Sequence, residues 1–550
     1  MRTVPRLRRL ARAALLATLP LGGAAVAQAP AAAAMPVPPA GATSVAASAP
    51  APVVAPAPAP AGAVLVEWLL PELRSLGAAE LQALLQPWVG RAMTAAEVQA
   101  VRSAVAGRLE ARGLGLGGVA VRPVAGRPGT WRLLVVEPRL RRIDFAPGAD
   151  VPLSDVHVAA LLERHGLRAG ELLDLRALDQ ALYRLNDLPG VAASATLAPT
   201  GEEGVYDLVL ERSLRKRLEG SAEFDNHGSL YNGRYRLGAL LRVNQPLDIG
   251  DNLDARLLVS HNKGLVTARL GYELPLAWFG ASAATAWDSG WRVSLGLSSL
   301  SYELGDSLAG LQAGGRARVV DAALGRTLMR SRQANLVGRI GLSHKALQDR
   351  FDALGQVTDK SASDVNAALS FEVRDELAGG GYSGGSLGLV AGRLAIRSAD
   401  ARRSDLALGE RATSGHYLKL GVQASRLQAL PALGPGWSLY GGLSAQWADR
   451  NLDASEKFAL GGAQAVRAYA PGEAAADAGL ITSLELRRPV GARWSVYGLV
   501  DVGRARLQMR PAADVDNHRS INARGVGAFF SDPALFTLRA VLAWRGDSAP

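Results

Sequence analysis

The sequence predicts an all-β membrane barrel of about sixteen antiparallel strands, preceded by two small α+β modules. Two observations carry this expectation: apolar and polar residues alternate with a period of two in runs from about residue 218 to 544, and the chain opens on an export signal. In residues 234–244 one face holds Tyr235, Leu237, Ala239, Leu241 and Val243, and the other holds Arg234, Arg236, Gly238, Arg242 and Asn244. Leu253, Ala255, Leu257 and Val259 repeat the pattern, as do Val266, Ala268, Leu270, Tyr272 and Leu274. So many strands with one oily face, and few helices to cover it, fit lipid outside and water inside.

Taken in order, Arg2, Arg6, Arg8, Arg9 and Arg12, then an apolar run and the small-x-small site Ala25-Val26-Ala27, make residues 1–27 a secretory signal. Residues 28–63 are rich in Ala and Pro and read as an extended tether. A β-α-α-β-β order then occurs twice. In the first module, residues 64–137, the strands are 64–70, 118–124 and 130–137, and the helices are 78–86 and 95–112. In the second, residues 138–212, the strands are 139–145, 191–197 and 204–211, and the helices are 155–165 and 174–185. Leu175, Leu178, Leu182 and Leu185 recur at helical spacing, so each module can build a two-layer core. Residues 213–550 hold the barrel, with room for roughly sixteen strands around a lumen wide enough for water.

The net charge of +11 comes from arginines set singly on alternate strand positions, which fits a cationic lumen rather than nucleic-acid binding. The chain has no cysteine, so disulfides and thiolate metal sites are excluded, and its seven histidines show no ligand spacing. No cofactor or metal is expected. No stretch after the signal offers the ~20 uninterrupted apolar residues of a spanning helix. Two enzyme-like patterns fail on context. Gly381, Ser383 and Gly385 fit G-x-S-x-G but read as a glycine-rich loop without Asp and His partners. Gly113, Gly115 and Gly118 fit G-x-G-x-x-G but follow a helix and open a strand, as a helix terminus would.

Near the end of the chain, a segment containing Glu456, Gly461 and Gly462 leads into Val466-Arg467-Ala468-Tyr469, and Asp501 shares the polar face of a strand with Ser495 and Tyr497. Spacing alone leaves open an ordinary loop arginine and an ordinary lumenal aspartate. Two further runs accompany them, one from Phe224 to Ser229 with Gly233 following, the other from Asn244 to Leu253. Together these motifs resemble the two-partner secretion transporters of the outer membrane (TpsB proteins), the ShlB/FhaC/HecB-type haemolysin secretion/activation proteins of the Omp85 superfamily.

That resemblance covers about residues 64–544. It implies two POTRA modules in the periplasm of a Gram-negative bacterium, which bind a large unfolded exoprotein (TpsA-type, haemolysin-, haemagglutinin- or adhesin-like), and a barrel that conducts it across the outer membrane without catalysis. It further implies that loop six carries a V-R-G-Y/F tip whose arginine pairs with the aspartate of an F-x-D motif on the wall. The tip maps onto Val466, Arg467 and Tyr469, and the aspartate onto Asp501. Ala468 stands where the family has glycine, and Leu499 where it has an aromatic. Phe536, Leu538, Leu542 and Trp544 are the candidate barrel assembly signal. The implied partners are the exoprotein, outer-membrane lipids, periplasmic chaperones and the barrel-assembly machinery. The family's N-terminal plug helix has no obvious counterpart in the Ala/Pro segment, and the sequence leaves its existence open. The alternatives are an Omp85-type insertase, which commonly has more repeats, and a passive diffusion porin, which needs no modules.

Overall fold

The computed structural model describes residues 63–148, 152–276, 290–513 and 515–546, so the expected signal at 1–27 and almost all of the tether at 28–63 lie outside the described residues. The first unit contains strand β1 (Glu67–Leu69), helices α1 (Ala78–Leu85) and α2 (Ala95–Glu110), and strands β2 (Gly118–Pro123) and β3 (Thr130–Val136). Thr94 starts α2 by accepting from the Glu97 N–H, the threonine half of a capping box. The sheet order is β1-β3-β2, and Leu81, Leu85, Val101, Val105, Leu109, Trp131 and Leu133 close the core beneath it.

The second unit repeats the layout with β4 (Arg139–Phe145), α3 (Asp155–Arg164), α4 (Leu175–Asn186), β5 (Val191–Pro199) and β6 (Val205–Leu214), in sheet order β4-β6-β5. Leu178, Leu182 and Leu185 of α4 are buried against Leu208 and Leu210 of β6. Asp174 caps α4 by accepting from the Arg176 and Ala177 N–H groups. Gly113 joins the two units. Its φ of +83° turns the chain out of α2, a Cβ there would collide with the Asp174 carboxylate, and its carbonyl accepts from Leu175 N–H at 2.8 Å. The G-x-G-x-x-G pattern is therefore a helix terminus.

Fifteen strands among the described residues, against the roughly sixteen expected, form one sheet whose neighbours follow chain order. They are β7 (Leu218–Asp225), β8 (Arg236–Asn244), β9 (Asn252–Ser260), β10 (Leu265–Pro275), β11 (Trp291–Glu303), β12 (Ala313–Arg330), β13 (Ala334–Phe351) and β14 (Gln356–Asp375). Then come β15 (Gly381–Ile396), β16 (Gly415–Ala429), β17 (Ser438–Ala448), the short interior pair β18 (Phe458–Ala459) and β19 (Ala475–Ala476), β20 (Ala478–Val490), β21 (Trp494–Arg506), β22 (His518–Ser531) and β23 (Thr537–Arg545). Every neighbouring pair in the large sheet is antiparallel, and β7 and β23 are its edges. The alternation has its structural counterpart. Leu237, Leu241, Leu257, Leu270 and Leu297 stand exposed on the outer face, whereas Asp225 pairs Arg236 and Asp321 pairs Arg269 inside. Among the described residues no helix is long and apolar enough to cross a membrane, and a wall with this much exposed apolar surface suits lipid.

One expectation is corrected here. Gly381, Ser383 and Gly385 are not in a loop but open β15. A Cβ at Gly385 would sit 2.5 Å from the Gln423 carbonyl oxygen and 2.8 Å from the Phe371 ring, so glycine is required by strand packing.

The second unit grips one end of the barrel. In the turn between β12 and β13, Arg330 pairs Asp187 at 2.6 Å and lies 5.4 Å over the Tyr183 ring, while Arg332 donates to the Tyr183 hydroxyl at 2.6 Å. In the turn between β8 and β9, fully buried Gln245 donates to the Pro189 carbonyl at 2.9 Å and accepts from Gly250 N–H at 2.7 Å, and Asp251 accepts from Tyr272 at 2.6 Å. The run from Asn244 to Leu253 is thus the joint between module and barrel. We expect the double substitution Arg330→Ala with Arg332→Ala to weaken this joint by about 1–2 kcal/mol. Trypsin should then cut the 212–217 connection faster while the barrel stays protease-resistant; unchanged cleavage would show that the turn contributes no hold.

Candidate functional site

Between β17 and β20 the chain turns inward instead of crossing outside. Phe458 and Ala459 pair antiparallel with Ala476 and Ala475, so β18 and β19 make a narrow hairpin within the lumen. Its tip is tightened by Val466 N–H donating to the Leu460 carbonyl at 2.9 Å and Gly461 N–H donating to the Glu473 carbonyl at 3.1 Å. Leu460 and Val466 are wholly buried and pack with Tyr469 against Ile481, Ala505, Ile521 and Ala523 of the wall. Gly503 makes this approach possible, because a Cβ there would lie 2.8 Å from the Val466 side chain.

Packing presses Arg467 against the wall. Its Nε donates to Asp501 Oδ2 and its Nη2 to Asp501 Oδ1, both at 2.6 Å, and its backbone N–H reaches Oδ2 at 3.1 Å. This is a bidentate charge-assisted contact with a third donor added. The fork's remaining arm, Nη1, meets Glu485 Oε1 of β20 at 2.5 Å. Glu485 also accepts from Arg487 at 2.6 Å, and Arg539 of β23 comes within 3.5 Å of it. Asp501 is 0% exposed and Arg467 7%. The four residues expected at this lock, Val466, Arg467, Tyr469 and Asp501, are therefore brought together. Ala468 sits at φ +76°, the left-handed region where a side chain costs about 1–2 kcal/mol. The Arg545 guanidinium holds the far side of the tip, donating to the Ala468 carbonyl at 3.0 Å and covering the Tyr469 ring at 4.7 Å.

The base of the same loop carries an anchor that the sequence reading missed. Glu456, 2% exposed, lies between Lys345 at 2.5 Å and Lys419 at 2.6 Å, from β13 and β16. Asp453 meets Lys360 of β14 at 2.8 Å, and Asp477, on the returning strand, meets Lys457 at 2.6 Å. A signal was available: the chain has only six lysines, and four of them, Lys345, Lys360, Lys419 and Lys457, converge here. Glu485 was missed as well, since nothing in spacing alone relates it to Arg467. The loop thus presents anions to a cationic wall at its base and a cation to an anionic wall at its tip.

The candidate assembly residues lie elsewhere. Leu538, Leu542 and Trp544 stand exposed on the outer face of edge strand β23, and Phe536 just before it packs on the Phe530 ring at 5.3 Å. At the module end of the lumen a polar cavity of about 470 Å³ is lined by Arg242, Arg269, Arg292, Glu219 and Asp254, with Asp187 and Pro189 of the second unit at its rim.

Residues 204–528 match the haemolysin secretion/activation protein family ShlB/FhaC/HecB. Over 374 residues the chain is 26% identical to the heme/hemopexin transporter protein HuxB of Haemophilus influenzae strain 86-028NP, covering 66% of this chain and 63% of that protein. Over 293 residues it is 25% identical to the outer membrane transporter CdiB of Escherichia coli, covering 49% and 48%. The matched region thus spans about half to three fifths of these curated relatives. The solved structure of CdiB from Escherichia coli superposes with a TM-score of 0.65 at 19% identity, over 99% of this chain and 95% of that one, and shares its fold.

Arg467→Ala should cost about 3–5 kcal/mol, because it leaves Asp501 buried without a countercharge. Asp501→Ala should cost less, since Glu485 still holds the guanidinium, and the double variant should cost no more than Arg467→Ala and well under the sum, because it also removes the stranded carboxylate. Urea unfolding of the detergent-solubilised barrel reads these differences; additive losses would mean that the pair does not act as one contact. By the same measurement Ala468→Gly should be neutral or stabilising by up to about 1 kcal/mol, and Ala468→Val destabilising.

Proposed function

The chain belongs to the ShlB/FhaC/HecB family of haemolysin secretion/activation proteins, and from that premise we propose that it moves a large unfolded exoprotein across the outer membrane by two-partner secretion. The observation that carries this reading is the interior hairpin, a loop tied across the lumen by reversible ionic contacts rather than built into the wall. Such a loop is a plug and conformational lock: Arg467 and Asp501 hold the tip, Glu456 and Asp453 hold the base, and release of both opens the bore.

The two units are POTRA modules. Each presents sheet edges, with β2 and β5 outermost, to which an unfolded exoprotein adds an extended strand; main-chain hydrogen bonds supply affinity and alternate side chains supply selectivity. The second module, seated on the rim of the polar cavity, hands the chain to the lumen. Transport needs no covalent step, and folding of the exoprotein outside gives it direction. The outward row Leu538, Leu542 and Trp544, with Phe536, serves as the barrel assembly signal read by the assembly machinery, since an edge strand is the natural place for pairing during insertion. Periplasmic chaperones keep both partners unfolded before they reach the membrane.

A strain that expresses this chain together with a cognate two-partner exoprotein should release that protein to the medium, and removing this chain should retain it in the periplasm. Undiminished release would overturn the reading. In planar bilayers, deletion of residues 464–474 should raise or destabilise conductance, whereas an unchanged current would mean that the hairpin does not obstruct the bore.

A further inference from the structure

The lipid-facing wall carries a cluster that transport does not use. Alternation turns Val320, Ala322 and Leu324 of β12 and Leu387, Leu389 and Ala391 of β15 outward, an apolar band. Beyond it, on the side away from the modules, the outward positions become polar. Register places His344, Ser363, Arg393 and His416 in one row across β13, β14, β15 and β16. The next row holds Ser299, Arg318 and Ser361, and Arg316 follows two residues farther along β12. His344 and Ser363 are hydrogen-bonded at 2.8 Å, and Arg316, Arg318, Arg393 and His416 are exposed. Arg316, Arg318 and Arg393 have no ion-pair partner among the described residues.

Height fixes what these arginines meet. Near the module end of β12, Arg326 lies 5.3 Å over the Trp291 ring, an interfacial aromatic. Arg318 and Arg316 follow eight and ten residues along the same strand (326 − 318 and 326 − 316). At ~3.3 Å per residue and a tilt of ~40°, those steps rise ~20 and ~25 Å, the height of an outer-membrane apolar band. An arginine facing lipid at the far interface with no protein countercharge is stabilised by a phosphate in the headgroup layer. Arg318 and Arg393 lie three strands apart, ~14 Å at ~4.8 Å per strand, with the His344 ring and the Ser363 hydroxyl between them. That span suits two phosphates at opposite ends of a disaccharide better than one glycerophospholipid head.

We propose that this patch binds the phosphorylated headgroup of an outer-leaflet glycolipid, with Arg316, Arg318 and Arg393 on its phosphates and Ser363, His344 and His416 on its sugar hydroxyls. The proposal rests on the outer-membrane placement above, but direct binding is read without secretion, so the two fail separately. The full-length protein, purified in detergent, is mixed with deep-rough lipopolysaccharide, with its dephosphorylated form, or with phosphatidylglycerol, and bound lipid is counted by native mass spectrometry. The phosphorylated glycolipid should be retained best. Combining Arg316→Gln, Arg318→Gln and Arg393→Gln should weaken that retention by about tenfold or more. Lysine at the same three positions should keep most of it, which separates loss of charge from loss of fold, and Arg326→Gln at the opposite interface should leave it unchanged. Equal retention by the triple glutamine variant, or equal binding of the dephosphorylated lipid or of phosphatidylglycerol, would overturn the proposal.

Discussion

A charged side chain that points into a part of the bore closed to water must find a partner, because an unpaired buried charge costs several kcal/mol. The contact of Arg467 with Asp501 is where this constraint is most severe: one carboxylate is fully buried and is met by three donors from a single residue. The hairpin packs around it: Val466 and Tyr469 lie against β21 and β22, and Gly503 leaves the bare backbone that Val466 needs.

Polarity then gives the hairpin a direction. Its base offers Asp453 and Glu456 to three wall lysines, and its tip offers Arg467 to two wall carboxylates. Reversing the loop, or sliding it by a strand, would bring like charges together, so the arrangement excludes wrong registers as well as favouring one. Buried ion pairs add little net stability over apolar packing but specify position, so these contacts decide where the hairpin lies more than how stable it is. The residues chosen agree with their tasks. Arginine, a rigid fork, serves the single bidentate contact, and lysine, a compact point charge, lets two ammonium groups share Glu456.

The periodic features can be read directly from the chain. Strands, helices and the repeated module order were legible because amphipathicity is written in local spacing, and the order of the motifs led to Arg467, Asp501 and Ala468. The left-handed φ of Ala468 was also within reach, since a tip position that elsewhere takes glycine points to such a backbone. Which distant residues meet is settled in the fold alone. Glu485 lies eighteen positions from Arg467, and Lys345 over a hundred from Glu456; each lumenal acid looks alike until the sheet curls and the hairpin enters. The run from Gly381 to Gly385 looks like a loop in the sequence for the same reason: the Phe371 ring and Gln423 backbone that demand glycine at 385 arrive from other strands. Period-two alternation fixes which way a side chain points, but register across strands fixes what it touches, and register is a property of the whole sheet.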